Sequence, residues 1–334
     1  MTRIAVFGTG AWGTAFSLVA NDAEVDVRLW GRRPELVEAI NEKRENPDHL
    51  PGIELPAMLA TTDPAEALDG SELVVFAVPS QRLRENLVGW APLIPPQAIM
   101  LSLMKGVELG TTKRMSEVIR EVADADEDRV AVLSGPNLAL EIAQRQPAAS
   151  VVACTDEAVA ARIQAICHTP YFRPYTNTDV VGTELGGAVK NVIALAVGMA
   201  HGMGFGDNAK ASLITRGLAE TARLGAALGA DPYTFAGLAG LGDLVATCWS
   251  PLSRNRTFGE RLGRGEQVAE MLADTRQVVE GVKSCVSIRE LAHQNGVDMP
   301  IVDQVVAVVH DGMSPLDTLR SLMSRAAKPE RYGH

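Results

Sequence analysis

Four stretches of this chain set polar or charged side chains among glycines and apolar residues, as expected where a small polar molecule is enclosed. They are Met104-Lys105-Gly106, Ser134-Gly135-Pro136-Asn137, Gly186-Gly187-Ala188-Val189-Lys190-Asn191 and Gly240-Leu241-Gly242-Asp243-Leu244, the last followed by Ser253-Arg254-Asn255-Arg256. Lys190 is the most telling. It falls in an apolar stretch of helical spacing, and a lysine is seldom buried there without a task; the plain alternative is a lysine snorkelling from a helix edge. Helical side chains lean toward the preceding turn. Gly186 and Gly187 are therefore expected to leave open space beside the ammonium for a substrate. Such an ammonium can polarise a carbonyl oxygen and protonate it, or, when neutral, remove a hydroxyl proton. Asp243 can cap the helix that follows or face the same site. Ser253, Arg254 and Asn255 form a donor-rich group in which a guanidinium can fork onto phosphate oxygens, unless they are simply a solvated basic loop.

A fifth stretch, Gly8-Thr9-Gly10-Ala11-Trp12-Gly13, is G-x-G-x-x-G between an apolar strand-like run and a helix-like run. In that setting Gly8 permits the tight turn, Gly10 admits a pyrophosphate to the backbone, and Gly13 lets helix approach strand. The helix N-terminus then offers free N–H groups to phosphate. A purely structural glycine turn is the alternative. NAD-selective sites usually carry an acidic residue about 20 positions further on. Here the second strand ends in Leu29-Trp30-Gly31-Arg32-Arg33. Two arginines suit a 2′-phosphate, so NADP(H) is expected to be used at least as well as NAD(H).

The elements that must position these residues can be read from periodicity. Apolar runs near residues 4–7, 25–30, 58–61, 73–78, 98–103, 130–133, 151–152 and 171–175 alternate with helical stretches, which predicts an α/β Rossmann-like unit with a mostly parallel sheet. Beyond about Asp179 strand signals stop, and long Ala/Leu/Gly stretches at 180–202, 208–229, 278–295 and 299–312 have helical spacing. We therefore read a dinucleotide-binding domain over 1–180 and an all-α substrate-binding domain over 181–334. A chain of 334 residues suits two domains. A net charge of -10 without a basic stripe argues against a nucleic-acid partner. Cys154, Cys167, Cys248 and Cys285 lack metal-site spacing and read as reduced, buried thiols. The glycines at 8, 10 and 13 interrupt what could imitate a secretion signal, and no uninterrupted apolar run is long enough to suggest a membrane span.

Taken together, the runs Gly8 to Gly13, Met104 to Gly106, Ser134 to Pro136, Gly186 to Asn191, Ile214-Thr215-Arg216-Gly217-Leu218-Ala219-Glu220, Gly240 to Leu244, Ser253 to Arg256 and Val278-Val279-Glu280-Gly281 resemble bacterial NAD(P)-dependent glycerol-3-phosphate dehydrogenases in order and spacing over nearly the whole chain. The resemblance implies interconversion of glycerol 3-phosphate and dihydroxyacetone phosphate, with NADP(H) or NAD(H), for phospholipid synthesis, by a cytoplasmic homodimer. It implies Lys190 as the acid/base residue. Lys105, Gly135, Asn137, Asp243, Thr247, Ser253, Arg254 and Asn255 would line the substrate site. Gly8, Gly10, Ala11, Trp12, Gly13, Arg32, Arg33, Lys105, Ala139, Arg254, Val278 and Glu280 would touch the dinucleotide; no metal is implied. One position departs: Asn137 stands where the bacterial pattern has Thr or Ser and the eukaryotic NAD-linked pattern has Asn. Thr247 likewise matches a threonine of the eukaryotic relatives. Two rivals share the general plan. Dehydrogenases of the 6-phosphogluconate or 3-hydroxyacid type would need carboxylate-recognising residues, and a non-catalytic dinucleotide sensor would not need Lys190 and Asp243 together.

Overall fold

The computed structural model describes residues 2–274, 278–326 and 329–330. The apolar runs become eight strands: β1 (Arg3–Phe7), β2 (Asp26–Trp30), β3 (Leu59–Thr61), β4 (Leu73–Phe76), β5 (Ile99–Ser102), β6 (Val130–Ser134), β7 (Ala148–Ala153) and β8 (Phe172–Asn177). They form one sheet in the order β3-β2-β1-β4-β5-β6-β7-β8. All neighbours run parallel except β6 and β7. Strand residues point alternately to opposite faces. Ile4, Val6, Leu73 and Val75 enter one core layer, while Ala5, Phe7, Val74 and Phe76 enter the other. Both faces are thus covered, which is why the strands read as unbroken apolar runs. The chain winds outward in both directions from β1 and β4, and the carboxyl ends of that pair form the crevice where an open α/β sheet binds ligands.

Every described element after Asp179 is helical. Asp179 itself makes the transition, its carboxylate accepting from Gly182 N at 2.8 Å at the start of the Val180–Gly202 helix. By length and composition this helix could cross a membrane, yet 83% of its apolar stretch is buried inside the protein. It is the axis of the helical core, with Leu185, Val189, Val192, Ile193 and Val197 packed among side chains from the later helices. Close approach fixes its nearest neighbour. A methyl on Gly198 would lie 2.1 Å from Arg256 O, and one on Gly259 would lie 2.2 Å from Leu195 O. The Arg254–Gly263 helix therefore lies backbone to backbone against it and carries the Ser253-Arg254-Asn255 group to the domain junction. The Gly240-Leu241-Gly242 stretch belongs to a π-helical segment, Leu238–Gly242, that runs directly into the Asp243–Trp249 helix. All four cysteines are buried and unpaired.

Candidate active site

The glycine turn leaves β1 with Gly8 at φ 130, a conformation open to glycine. A Cβ there would sit 2.6 Å from Ala77 O, and one on Gly13 would sit 2.1 Å from Gly8 O, so neither position has room for a side chain. Gly10 is different: a Cβ would meet nothing within 4 Å. Its surroundings are open crevice, and a side chain would occupy it. The Ala11–Asp22 helix begins there without a side-chain cap, leaving its first N–H groups for a ligand. A backbone-lined cradle at an uncapped helix start fits a pyrophosphate. Asn46, not anticipated from the sequence, is fully buried and props the turn by donating to Thr9 O at 2.9 Å and Thr14 Oγ1 at 2.8 Å.

The other expected dinucleotide contacts divide. Arg32 is exposed beyond β2. Arg33 is tied to Asp48 at 2.5 Å, so Arg32 is the freer cation. The Trp12 ring turns away from the crevice, into the core against Phe16 and Phe172 with centroids 6.1 and 6.4 Å away, so this residue offers the crevice its backbone. Ala139 lies in the small cluster containing Ala11 and Trp12. Burial and the positive charges of Arg33 and Arg254 lower the pKa of His49; this places Arg254, from the helical half, within electrostatic reach of the loop beside the glycine turn. Glu280 accepts from Ser80 Oγ at 2.7 Å, joining the start of the Glu280–Gln294 helix to the loop after β4. Val278 is half-buried just before it.

Four segments converge where the two halves meet. Lys190 is buried, its ammonium donating to Asp243 Oδ1 and, at 2.8 Å, to Thr247 Oγ1. Lys105 arrives from the loop after β5. Its ammonium donates to Asp243 Oδ2 at 2.6 Å and to Gly135 O at 3.0 Å, the first carbonyl after β6. One carboxylate, 1% exposed, thus holds two ammoniums. Asp243 is the first residue of its helix and faces inward; with both oxygens engaged by lysines, it does not act as a cap. Burial is the main reason the Lys190 pKa is pulled down, to about 7; Asp243 opposes the shift and Lys105 adds to it. The amine can therefore change protonation state near neutral pH, as an acid/base group must.

The glycines beside Lys190 do not do what their position suggested. A Cβ on Gly186 would meet Ala239 O at 2.4 Å, and one on Gly187 would meet Ser134 Oγ at 2.6 Å and the Lys105 stem at 3.3 Å. They admit neighbouring segments rather than a substrate. Other expected contacts carry structural duties. Ser253 caps its helix by accepting from Arg256 N at 3.2 Å. Asn255 donates to Asn191 Oδ1 and accepts from Gly281 N, both at 2.9 Å. Asn191 in turn donates to Lys105 O at 3.3 Å, so a chain of two amides fixes the Lys105 backbone. Asn137 donates to Ser150 Oγ at 3.1 Å, but its Oδ1 is buried without a partner, as is Ser134 Oγ. Arg254 stays accessible to solvent, and surrounding protein pulls its pKa down against the opposing charge of Glu280. The cluster sets a titratable amine at Lys190 beside the basic side chains of Lys105 and Arg254, with the open crevice at Gly10 alongside.

Both halves of the chain match known proteins. The model of the family described as "NAD-dependent glycerol-3-phosphate dehydrogenase N-terminus" matches residues 3–160, and that described as its "C-terminus" matches residues 179–320. A protein of Streptomyces avermitilis named glycerol-3-phosphate dehydrogenase [NAD(P)+] is 66% identical over 98% of both chains. One of the same name from Thermobifida fusca is 65% identical over 100% of both. The solved structure of glycerol-3-phosphate dehydrogenase from Coxiella burnetii, 35% identical, superposes with a TM-score of 0.92 over 97% of this chain and 99% of that one. With both halves matched in order and close relatives aligned end to end, this chain belongs to the NAD-dependent glycerol-3-phosphate dehydrogenase family.

Proposed function

We propose that this chain reduces dihydroxyacetone phosphate to sn-glycerol 3-phosphate, reversibly and with NADPH or NADH, and that Lys190 is its proton donor. The observation that carries the residue assignment is the buried Lys190 ammonium, held by Asp243 and Thr247 beside Lys105. The bound dinucleotide supplies the hydride that reduces the ketone carbon. Lys190 polarises the ketone oxygen and gives it a proton as negative charge develops there; in the reverse direction the neutral amine takes the hydroxyl proton. Thr247 and Asp243 hold the amine in place. Lys105 supplies a second positive charge for the phosphorylated substrate, and Arg254 recognises its phosphate dianion by forked hydrogen bonds. Gly135 and Asn137 border the same space, and the unpartnered Asn137 oxygen is free to accept from a substrate hydroxyl. Ser253 and Asn255 act by fixing the segment that bears Arg254.

On the dinucleotide side, Gly8, Gly10, Ala11, Trp12 and Gly13 bind the pyrophosphate through backbone. Arg32, aided by Arg33, accepts a 2′-phosphate, while Ala139, Val278 and Glu280 border the crevice. The halves 1–180 and 181–334 act as cofactor and substrate domains. The chain works as a cytoplasmic homodimer supplying glycerophospholipid synthesis. The direct test is initial-rate reduction of dihydroxyacetone phosphate with NADH and NADPH side by side. Reduction with at least equal kcat/KM for NADPH is expected. No turnover rejects the reaction, and a strong NADH preference rejects the role of Arg32.

A further inference from the structure

Three residues through which the Val180–Gly202 helix meets the dinucleotide half lie on one stripe, and none of the three is a large apolar residue. Glu184, Gly187 and Asn191 follow one another at i, i+3 and i+7. Gly187 lies against Ser134 and the Lys105 stem, and Asn191 holds Lys105 O. Glu184, 4% exposed, makes the strongest tie. Its carboxylate accepts from Ser116 N at 2.8 Å, from Ser116 Oγ at 2.6 Å and from Arg114 Nη1 at 2.9 Å. Both partners begin the Met115–Ala123 helix, which packs on the sheet side of the junction. An apolar seam here would cost less, since a buried ion pair rarely adds net stability. Apolar contacts are non-directional and let a helix slide or roll; three converging hydrogen bonds do not.

We propose that Glu184 is a positioning residue for Lys190: through Ser116 and Arg114 it sets the rotation of the catalytic helix against the dinucleotide half. This rests on Lys190 being the proton donor. Glu184 precedes Lys190 by six residues, about 9 Å of helix rise, and a helix transmits rotation along that length with little loss. A side-chain tip rides about 5–6 Å from the helix axis, so a roll of about 10° moves the Lys190 amine by about 1 Å. Misplacements of that size can cost up to about 10²-fold in rate.

Glu184→Gln keeps the shape but removes the charge that faces Arg114. It is expected to lower kcat about 10-fold and raise the isotope effect on kcat with 4-deuterated NADPH. KM for both substrates, and the dinucleotide Kd measured directly by tryptophan fluorescence, should stay within about twofold. Ser116→Ala removes one donor only and should move kcat and the isotope effect the same way by about 3-fold; it carries the test if the glutamine variant fails to fold. Ser287→Ala is the control. It breaks another buried bond between the halves, Ser287 Oγ to Val107 O at 2.8 Å, and should lower Tm while leaving kcat and the isotope effect unchanged. If Glu184→Gln and Ser116→Ala only lower Tm, as Ser287→Ala does, the positioning role is overturned. The two readings fail separately. An inactive Lys190→Ala with normal turnover in Glu184→Gln removes only Glu184, whereas a fully active Lys190→Ala removes the proton donor itself.

Discussion

The glycine turn and the lysine cluster are two ways to build a site. The turn spends six consecutive residues, and what it leaves open are backbone N–H groups; the side chains there either are absent, as at Gly10, or point elsewhere, as Trp12 does into the core. The cluster gathers Lys105, Lys190, Asp243 and Thr247 from three separated segments, and everything it offers is side chain. A backbone site binds a phosphate by geometry and fixed dipoles and needs no titratable group. A side-chain site can exchange a proton, but only if burial and neighbouring charges bring a group into the working pH range. The division of labour follows: the turn should govern affinity for the dinucleotide, the cluster the rate of chemistry.

Lys190→Ala should break the comparison most sharply. General acid help is worth about 10²–10⁴-fold, so kcat should fall at least about 100-fold while dinucleotide Kd stays unchanged; steady-state rates paired with a fluorescence titration give both. The same residue fixes a sign with pH. Reduction needs the protonated amine, whose pKa is about 7, so kcat/KM for reduction should decline as pH rises through 7, while that for oxidation should climb. Asp243 favours the charged amine, so Asp243→Asn should move this limb to lower pH. A limb that stays in place would detach Lys190 from the titration.

Gly10→Ala probes the other region. No atom lies within 4 Å of the added methyl, so Tm should hold while KM for the dinucleotide rises about 10-fold from crowding at the pyrophosphate. Gly13→Ala makes the contrast, since its methyl would meet Gly8 O at 2.1 Å, and it should lower Tm as well. An equal loss of Tm in both variants would mean that Gly10 serves the fold alone. The smallest effect is expected at Arg32. Arg32→Ala should reduce the ratio of kcat/KM for NADPH over NADH about 5-fold, the worth of one charged contact at an exposed position. Arg33→Ala should do less, because Arg33 is already committed to Asp48.

How legible each region was in the sequence follows the same line. The eight strands appear as apolar runs because both sheet faces are covered, and even β7, marked in advance only by Val151 and Val152, lies where expected. The reversal of direction between β6 and β7 left no trace, since strand polarity depends on how the connecting chain returns and not on composition. The same limit hid the duties of Asn46, Ser116 and Glu184, polar residues whose partners lie tens of residues away. Gly186 and Gly187 misled for a related reason: a missing side chain signals room, but the sequence does not say whether ligand or protein fills it.

By itself the sequence determined the local matters: an α/β half followed by a helical half, a glycine turn opening a helix, and a lysine in an apolar helix. Each depends on residues within one or two turns or strands of one another, where spacing maps directly onto geometry. Only the tertiary structure decided that Asp243 is shared by two lysines, that Asn255 braces Asn191 and Gly281, and that Glu184 ties the helix bearing Lys190 to the opposite half. Those outcomes turn on which of several available partners a buried polar group meets, and that is settled when the two cores pack together and exclude water from the seam between them.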